Sequence, residues 1–254
     1  MNGIILCEGF DDVLLLGYYL YKSSDGIKWK YENNEKISDN FDFPKINSKS
    51  EKRELYRRGG DNVALWCVGG KDNFGPALQF IHTVNTHFPE SGFQKLAIVT
   101  DRDDNDIGCC LDKMHALFLQ QGWSVCLENN KENAFFYDVE GERFEITIAP
   151  IIIPFTEPGA IETIMVNAIG ETGSEEHSIV NRAKEYVQSF VSSGNLTKYL
   201  QHKREIPKAI LSSIISITNP DRSTAYFNEL LISNDWEKKE IVKTHFGLLK
   251  TMFI

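Results

Sequence analysis

Two short apolar runs in this sequence each end in clustered carboxylates. Gly3-Ile4-Ile5-Leu6-Cys7 leads into Glu8-Gly9-Phe10-Asp11-Asp12, and Lys95-Leu96-Ala97-Ile98-Val99-Thr100 leads into Asp101-Arg102-Asp103. Short apolar runs bounded by polar residues read as buried strands. Carboxylates at the C-terminal ends of parallel strands gather on the edge where open α/β sheets place ligands. Grouped carboxylates repel one another unless a hard cation lies between them, and Mg²⁺ favours oxygen ligands of this kind. The chemistry these residues suit is a metal site working on phosphate.

The elements that must hold them alternate. After the first strand, Asp11-Asp12 open a helix through Val13–Leu20, and acidic residues suit its positively polarised first turn. A strand over Asn62–Val68 ends in Gly69-Gly70-Lys71, and a helix from about Pro76 to Phe88 stops at Pro89. The strand carrying Asp101 precedes a helix whose Ile107, Cys110, Leu111, Met114, Leu117 and Phe118 form one apolar stripe. Trp123–Leu127 reads as a fourth strand, and Phe135–Val139 with Arg143–Ile148 as a hairpin around Glu140-Gly141-Glu142. Ile151-Ile152-Ile153, between two prolines, reads as a buried edge or connection. Pro158-Gly159 opens a helix, and helices follow at Ser178–Val191, Lys208–Ile217, Thr224–Ile232 and Lys238–Met252. Strand and helix in alternation predict an α/β fold: an open, mainly parallel sheet flanked by helices, with a C-terminal helical extension. Ser23–Gly60 is rich in Asn, Ser, Lys and Glu, with nine Lys or Arg against seven Asp or Glu. It reads as a polar surface insertion ending in a short helix at Lys49–Arg58.

Composition narrows the classes. At 254 residues, with 42% hydrophobic and 25% charged, the chain can bury a sizeable core. A net charge of −9 argues against a protein that coats nucleic acid electrostatically, though not against a nuclease whose acidic site is inverted by metal. Five cysteines without C-x-x-C pairing fit a reducing cytoplasm, and six scattered histidines lack zinc spacing. No apolar stretch is long enough to span a bilayer, and Glu8, Asp11 and Asp12 interrupt any leader at the N-terminus.

Glu8-Gly9-Phe10-Asp11-Asp12 after a hydrophobic strand, Asp101-Arg102-Asp103 after a later one, and Gly159-Ala160-Ile161-Glu162 at a helix start occur here in that order. The set resembles the Toprim domain of topoisomerases, primases and some nucleases, with the Gly-x-x-Glu element of the overcoming-lysogenization-defect (OLD) nuclease branch. It looks closest to stand-alone Toprim-like proteins that share the Gly-Gly-Lys after the second strand. The resemblance covers residues 1–170, with an insertion at about 23–60, and leaves 171–254 as a helical extension. Asp106 stands where topoisomerases and primases carry a glycine. No topoisomerase tyrosine domain or primase core accompanies the motifs, which weighs against those activities.

The resemblance implies that Glu8 binds metal or acts as general acid/base, and that Asp101 and Asp103 ligate Mg²⁺ or Mn²⁺. Asp12 and Glu162 would complete a second ion site, as in two-metal nucleases; each also reads as an acidic residue favoured in a helix's first turn. Gly69, Gly70 and Lys71 are either a phosphate cradle or a structural turn, without Walker spacing. Lys203, Arg204 and Lys208 are candidates for the basic residue that stabilises the transition state, and read equally as a solvated charge run. Phe135-Phe136-Tyr137 reads as core, not a stacking platform. The function expected is a metal-dependent phosphodiesterase acting on DNA or RNA. The alternative is a non-catalytic nucleic-acid-associated regulatory or defence protein on the same fold. An aspartyl phosphatase would want Asp-x-Asp-x-Thr after the first strand, and Asn105 stands in the Thr place.

Overall fold

The computed structural model describes residues 1–24, 26–32, 37, 41–43, 51–220, 231 and 235–254. The strands are β1 (Asn2–Cys7), β2 (Lys30–Glu32), β3 (Lys52–Arg58), β4 (Asp61–Cys67), β5 (Lys95–Asp101), β6 (Asn133–Val139) and β7 (Glu142–Ile153). The helices are α1 (Phe10–Ser23), α2 (Phe74–His87), α3 (Ile107–Gln120), α4 (Ile161–Gly170), α5 (Ser174–Ser193), α6 (Glu205–Thr218) and α7 (Glu240–Phe253). The strands form one seven-stranded sheet in the order β2-β3-β4-β1-β5-β7-β6. β1 pairs in parallel with both β4 and β5, and antiparallel pairs β2–β3, β3–β4 and β6–β7 extend it. This is the expected α/β fold.

Contacts divide the chain into two compact units. The first comprises Met1–Thr100, Ile107–Ile152 and Phe246–Ile254; the second comprises Asp101–Asp106 and Ile153–His245. In the first unit, alternate residues of β1 serve opposite sheet faces, as the pleat requires. Ile4 and Leu6 join Ala77, Leu78 and Ile81 of α2 with Met114 and Phe118 of α3 in one buried cluster. On the other face, Phe253 at the end of α7 lies where a Cβ on Gly3 would come within 2.6 Å of its ring. Phe246 packs there against Tyr19 of α1, ring centroids 5.8 Å apart. In the second unit, α4, α5 and α6 pack mutually. Among the described residues, no helix is long and apolar enough to cross a membrane.

Four sequence expectations are corrected. Lys52–Arg58 is a strand, not a helix; Lys49 and Ser50 lie outside the described residues. Its Lys, Arg and Glu suit a helix, but pairing along β4 and burial of Leu55 and Tyr56 outweigh that weak propensity. The overlooked signal was Gly59-Gly60, a two-residue hairpin loop with Gly59 at φ 60°. Ser23–Gly60 is therefore no surface appendage: it adds two strands and buries Trp29, Ile37 and Leu55. Trp123–Leu127 is unpaired, because the place beside β5 belongs to β7. Trp123 instead stacks on Phe135 at 5.1 Å, and its Nε1–H donates to His82 Nδ1 at 2.7 Å. Ile151–Ile153, expected as an edge or connection, continues β7 as fully buried strand. The helix expected at Thr224–Ile232 lies outside the described residues, Leu231 excepted.

Candidate functional site

In the first unit the acidic loop is built from the turn between β1 and α1. Asp12, in the first turn of α1, is only 6% exposed. Its Oδ2 accepts the N–H of Glu8 at 3.1 Å and of Gly9 at 2.8 Å. That is the reciprocal half of a capping box, satisfying donors that a helix start leaves without intrahelical partners. One oxygen of Asp12 thus shapes the loop that presents Glu8. The Glu8 side chain is mostly covered, and its Oε1 accepts the hydroxyl of Thr100 in a short hydrogen bond. Lys71 Nζ lies 3.6 Å from the same oxygen.

The Gly69-Gly70 turn has a structural part in this. Both glycines have positive φ, 78° and 119°. The Gly70 N–H donates to the Glu8 carbonyl at 3.1 Å, and Asn73 Nδ2 donates to the Val68 carbonyl at 2.9 Å. The turn delivers Lys71 to Glu8. Cys7 and Cys67 are register partners on β1 and β4, both buried, and burial pushes the Cys67 thiol up.

In the second unit, Asp101, Asp103 and Glu162 come from two segments held side by side. Asp103 and Gly159 form an antiparallel bridge, N–H to O at 2.9 Å one way and 2.8 Å the other. Asp101 Oδ1 accepts the N–H of Ile161, first residue of α4, at 2.9 Å. A carboxylate there complements the helix dipole. The bridge explains the glycine of Gly-x-x-Glu: Gly159 has φ 151°, and a Cβ would fall 2.3 Å from Thr163 Oγ1. Asp103 itself adopts φ 51°, uncommon for a residue with a side chain. Arg102, between the two aspartates, holds backbone. Its Nε donates to the Asn105 carbonyl at 3.0 Å and its backbone N–H to the Ile153 carbonyl at 2.7 Å.

Glu162 follows directly on this ladder. Its side chain is 12% exposed, and Lys208 Nζ of α6 stands 3.4 Å from Oε1. Its other oxygen, Oε2, is buried without a hydrogen-bond partner among the described residues. Lys203 Nζ lies 3.8 Å from Asp104 Oδ1, both side chains well exposed, an ion pair of little energetic consequence. Both lysines singled out in the tail therefore reach acidic residues of this unit. Sequence reasoning missed Thr100, whose signal was a hydroxyl immediately before the Asp-x-Asp pair.

The donors are all oxygens, which suits a hard dication, and the unpartnered Glu162 Oε2 is the kind of atom a cation satisfies. Among the described residues, no group of three or more His, Cys, Asp or Glu is arranged to hold a metal ion.

The family described as protein of unknown function (DUF3226) matches residues 2–251, nearly the whole chain. The chain belongs to the DUF3226 family. Among solved structures, a hypothetical protein, PH0156 from Pyrococcus horikoshii OT3, is similar to this family member at 13% identity and a TM-score of 0.46, covering 99% of this chain and 97% of that one. No curated protein matches the chain.

Proposed function

We propose that this chain is a Toprim-like, Mg²⁺- or Mn²⁺-dependent phosphodiesterase acting on DNA or RNA in a reducing cytoplasm. The observation that carries the reading is the Glu162 carboxylate. It is mostly buried, paired on one oxygen with Lys208, and unsatisfied on the other, beside a ladder that orders Asp101 and Asp103. A buried unpaired oxygen costs about 1–3 kcal/mol unless a ligand satisfies it. On this reading Asp101, Asp103 and Glu162 of the second unit would hold one cation, although among the described residues no three such side chains are grouped to hold it; Glu8 and Asp12 are its other acidic residues, in the first unit. When bound, a dication lowers the pKa of its water and neutralises charge developing on the phosphate.

The chain's own residues supply the rest. Thr100 and Lys71 fix the Glu8 carboxylate, so that it can accept a proton from the attacking water at Oε1 or Oε2. Asp12 and Asp101 use hydrogen bonds to backbone amides to set the loops that carry Glu8 and Glu162. Lys208 and Lys203 of the second unit would bring positive charge to the phosphate.

The test combines cleavage of plasmid and single-stranded substrates with Mg²⁺, Mn²⁺ or chelator and calorimetric titration of each metal. Metal-dependent cleavage lost in Asp101→Ala with Asp103→Ala is the expected result. No metal-dependent product, or equal activity in that double variant, overturns the nuclease and leaves the non-catalytic alternative.

A further inference from the structure

Phe10 is the third residue of Glu8-Gly9-Phe10, and it is 52% exposed although it opens a helix that buries Val13, Leu15, Leu16, Tyr19 and Leu20. It is thus an outward aromatic ring, not a frayed part of the core. Lys52 of β3 holds its ammonium 4.1 Å from the ring centroid and is itself anchored by Glu54 Oε1 at 2.6 Å. Lys71, after β4, stands 3.6 Å from the Glu8 carboxylate. One carboxylate is therefore accompanied, within the first unit, by an exposed aromatic face and two lysines.

These three groups have complementary uses. An aromatic face stacks on any unpaired base and needs no hydrogen-bond code, while nearby lysines take up backbone phosphates. Each ammonium carries three donors and a full positive charge, so it can serve a phosphate alongside a carboxylate. A base inside a duplex is already stacked on both faces and cannot reach a protein ring unless it is extruded. With a net charge of −9, the chain lacks the general electrostatics to hold duplex, so local stacking has to contribute to any affinity.

We propose that Phe10, with Lys52 and Lys71, is the stacking platform for an unpaired base of a single-stranded nucleic acid, placing the adjoining phosphodiester at Glu8. This rests on the phosphodiesterase reading of Glu8 and names the substrate class for it: single-stranded, not duplex.

The experiment is fluorescence anisotropy of the full chain with labelled single-stranded oligonucleotides, the matched duplex, and an abasic strand of equal length. Ca²⁺ or chelator keeps the strands intact. Base-bearing single strand should bind more tightly than duplex or abasic strand. Phe10→Ala should weaken it by roughly 5- to 150-fold, the span of one lost stack, while Phe10→Trp retains it. Lys52→Gln and Lys71→Gln should each reduce the salt slope by roughly 0.7. Equal binding of base-bearing and abasic strands, wild-type binding by Phe10→Ala, or no binding of any strand overturns the proposal. Base-dependent binding lost in Phe10→Ala, without metal-dependent cleavage of the same strand, keeps the platform and overturns the phosphodiesterase. Cleavage that proceeds normally in Phe10→Ala overturns the platform alone.

Discussion

Replacing Asp12 separates what this carboxylate does for the loop from what it does for a ligand. In the native chain one oxygen takes two backbone N–H groups, those of Glu8 and Gly9, at 3.1 and 2.8 Å. Asp12→Ala strands both donors beside the start of α1. Each orphaned donor costs about 1–3 kcal/mol, and since Glu8 and Gly9 retain partial solvent access the lower figure applies. The expected loss is about 2 kcal/mol, in line with measured helix caps. For a chain of this size that lowers the melting temperature by about 4–8 °C. Asp12→Asn keeps an acceptor oxygen and forfeits only the charge assistance, so it should lose about half as much. Thermal denaturation by circular dichroism measures both, and hydrogen exchange at the Glu8 and Gly9 amides locates the effect. Adding Mg²⁺ or Mn²⁺ then divides the roles: if Asp12 is a ligand as well, Asp12→Asn loses metal affinity beyond its small loss of stability. If Asp12→Ala melts with the wild type and those amides exchange no faster, the capping argument is refuted.

Gly159→Ala should destabilise the second unit by about 1–3 kcal/mol, because its φ of 151° is essentially restricted to glycine and the new Cβ meets Thr163. Thr163→Ala in the same chain should recover only the steric part, read by urea denaturation. Phe253→Ala should cost about 3–5 kcal/mol, since this buried ring fills the space above Gly3; a loss under about 1 kcal/mol by the same assay counts against that packing. His245 is fully buried, its Nε2 accepts the Phe155 N–H at 3.0 Å and its Nδ1 bonds the Ile241 carbonyl at 2.7 Å. Burial holds its pKa below the ordinary 6.5, so above that pH it is neutral folded or unfolded and contributes no pH dependence. As pH falls from about 6.5 towards the lowered folded value, the unfolded chain takes the proton first and stability declines. Burial lowers His82 similarly, adding to the same slope. An NMR titration placing His245 at or above 6.5 would contradict this.

Strand, helix and charge order were legible from residues alone wherever the signal was local. The apolar runs that became β1, β4 and β5, the stripe on α3 and the hairpin around Gly141 follow from periodicity and turn chemistry, which are properties of neighbouring residues. The motif residues were also visible, but as separate islands. Only tertiary structure joined Asp103 to Gly159 and capped α4 with Asp101, and no spacing rule says which distant backbone will bridge. Tertiary pairing likewise made a strand of the helix-like Lys52–Arg58 and gave the place beside β5 to β7 instead of Trp123–Leu127. In each case a partner strand offered hydrogen bonds and burial worth more than a local preference of tenths of a kcal/mol per residue. The sequence by itself determined which residues can do chemistry: oxygen donors after strands, with lysines in the tail. Long-range packing decided which of their atoms are spent on holding the backbone, and left Glu162 Oε2 buried without a partner among the described residues. That division follows from physical range: propensity acts over a few residues, whereas satisfaction of a buried polar atom depends on whatever the whole fold brings beside it.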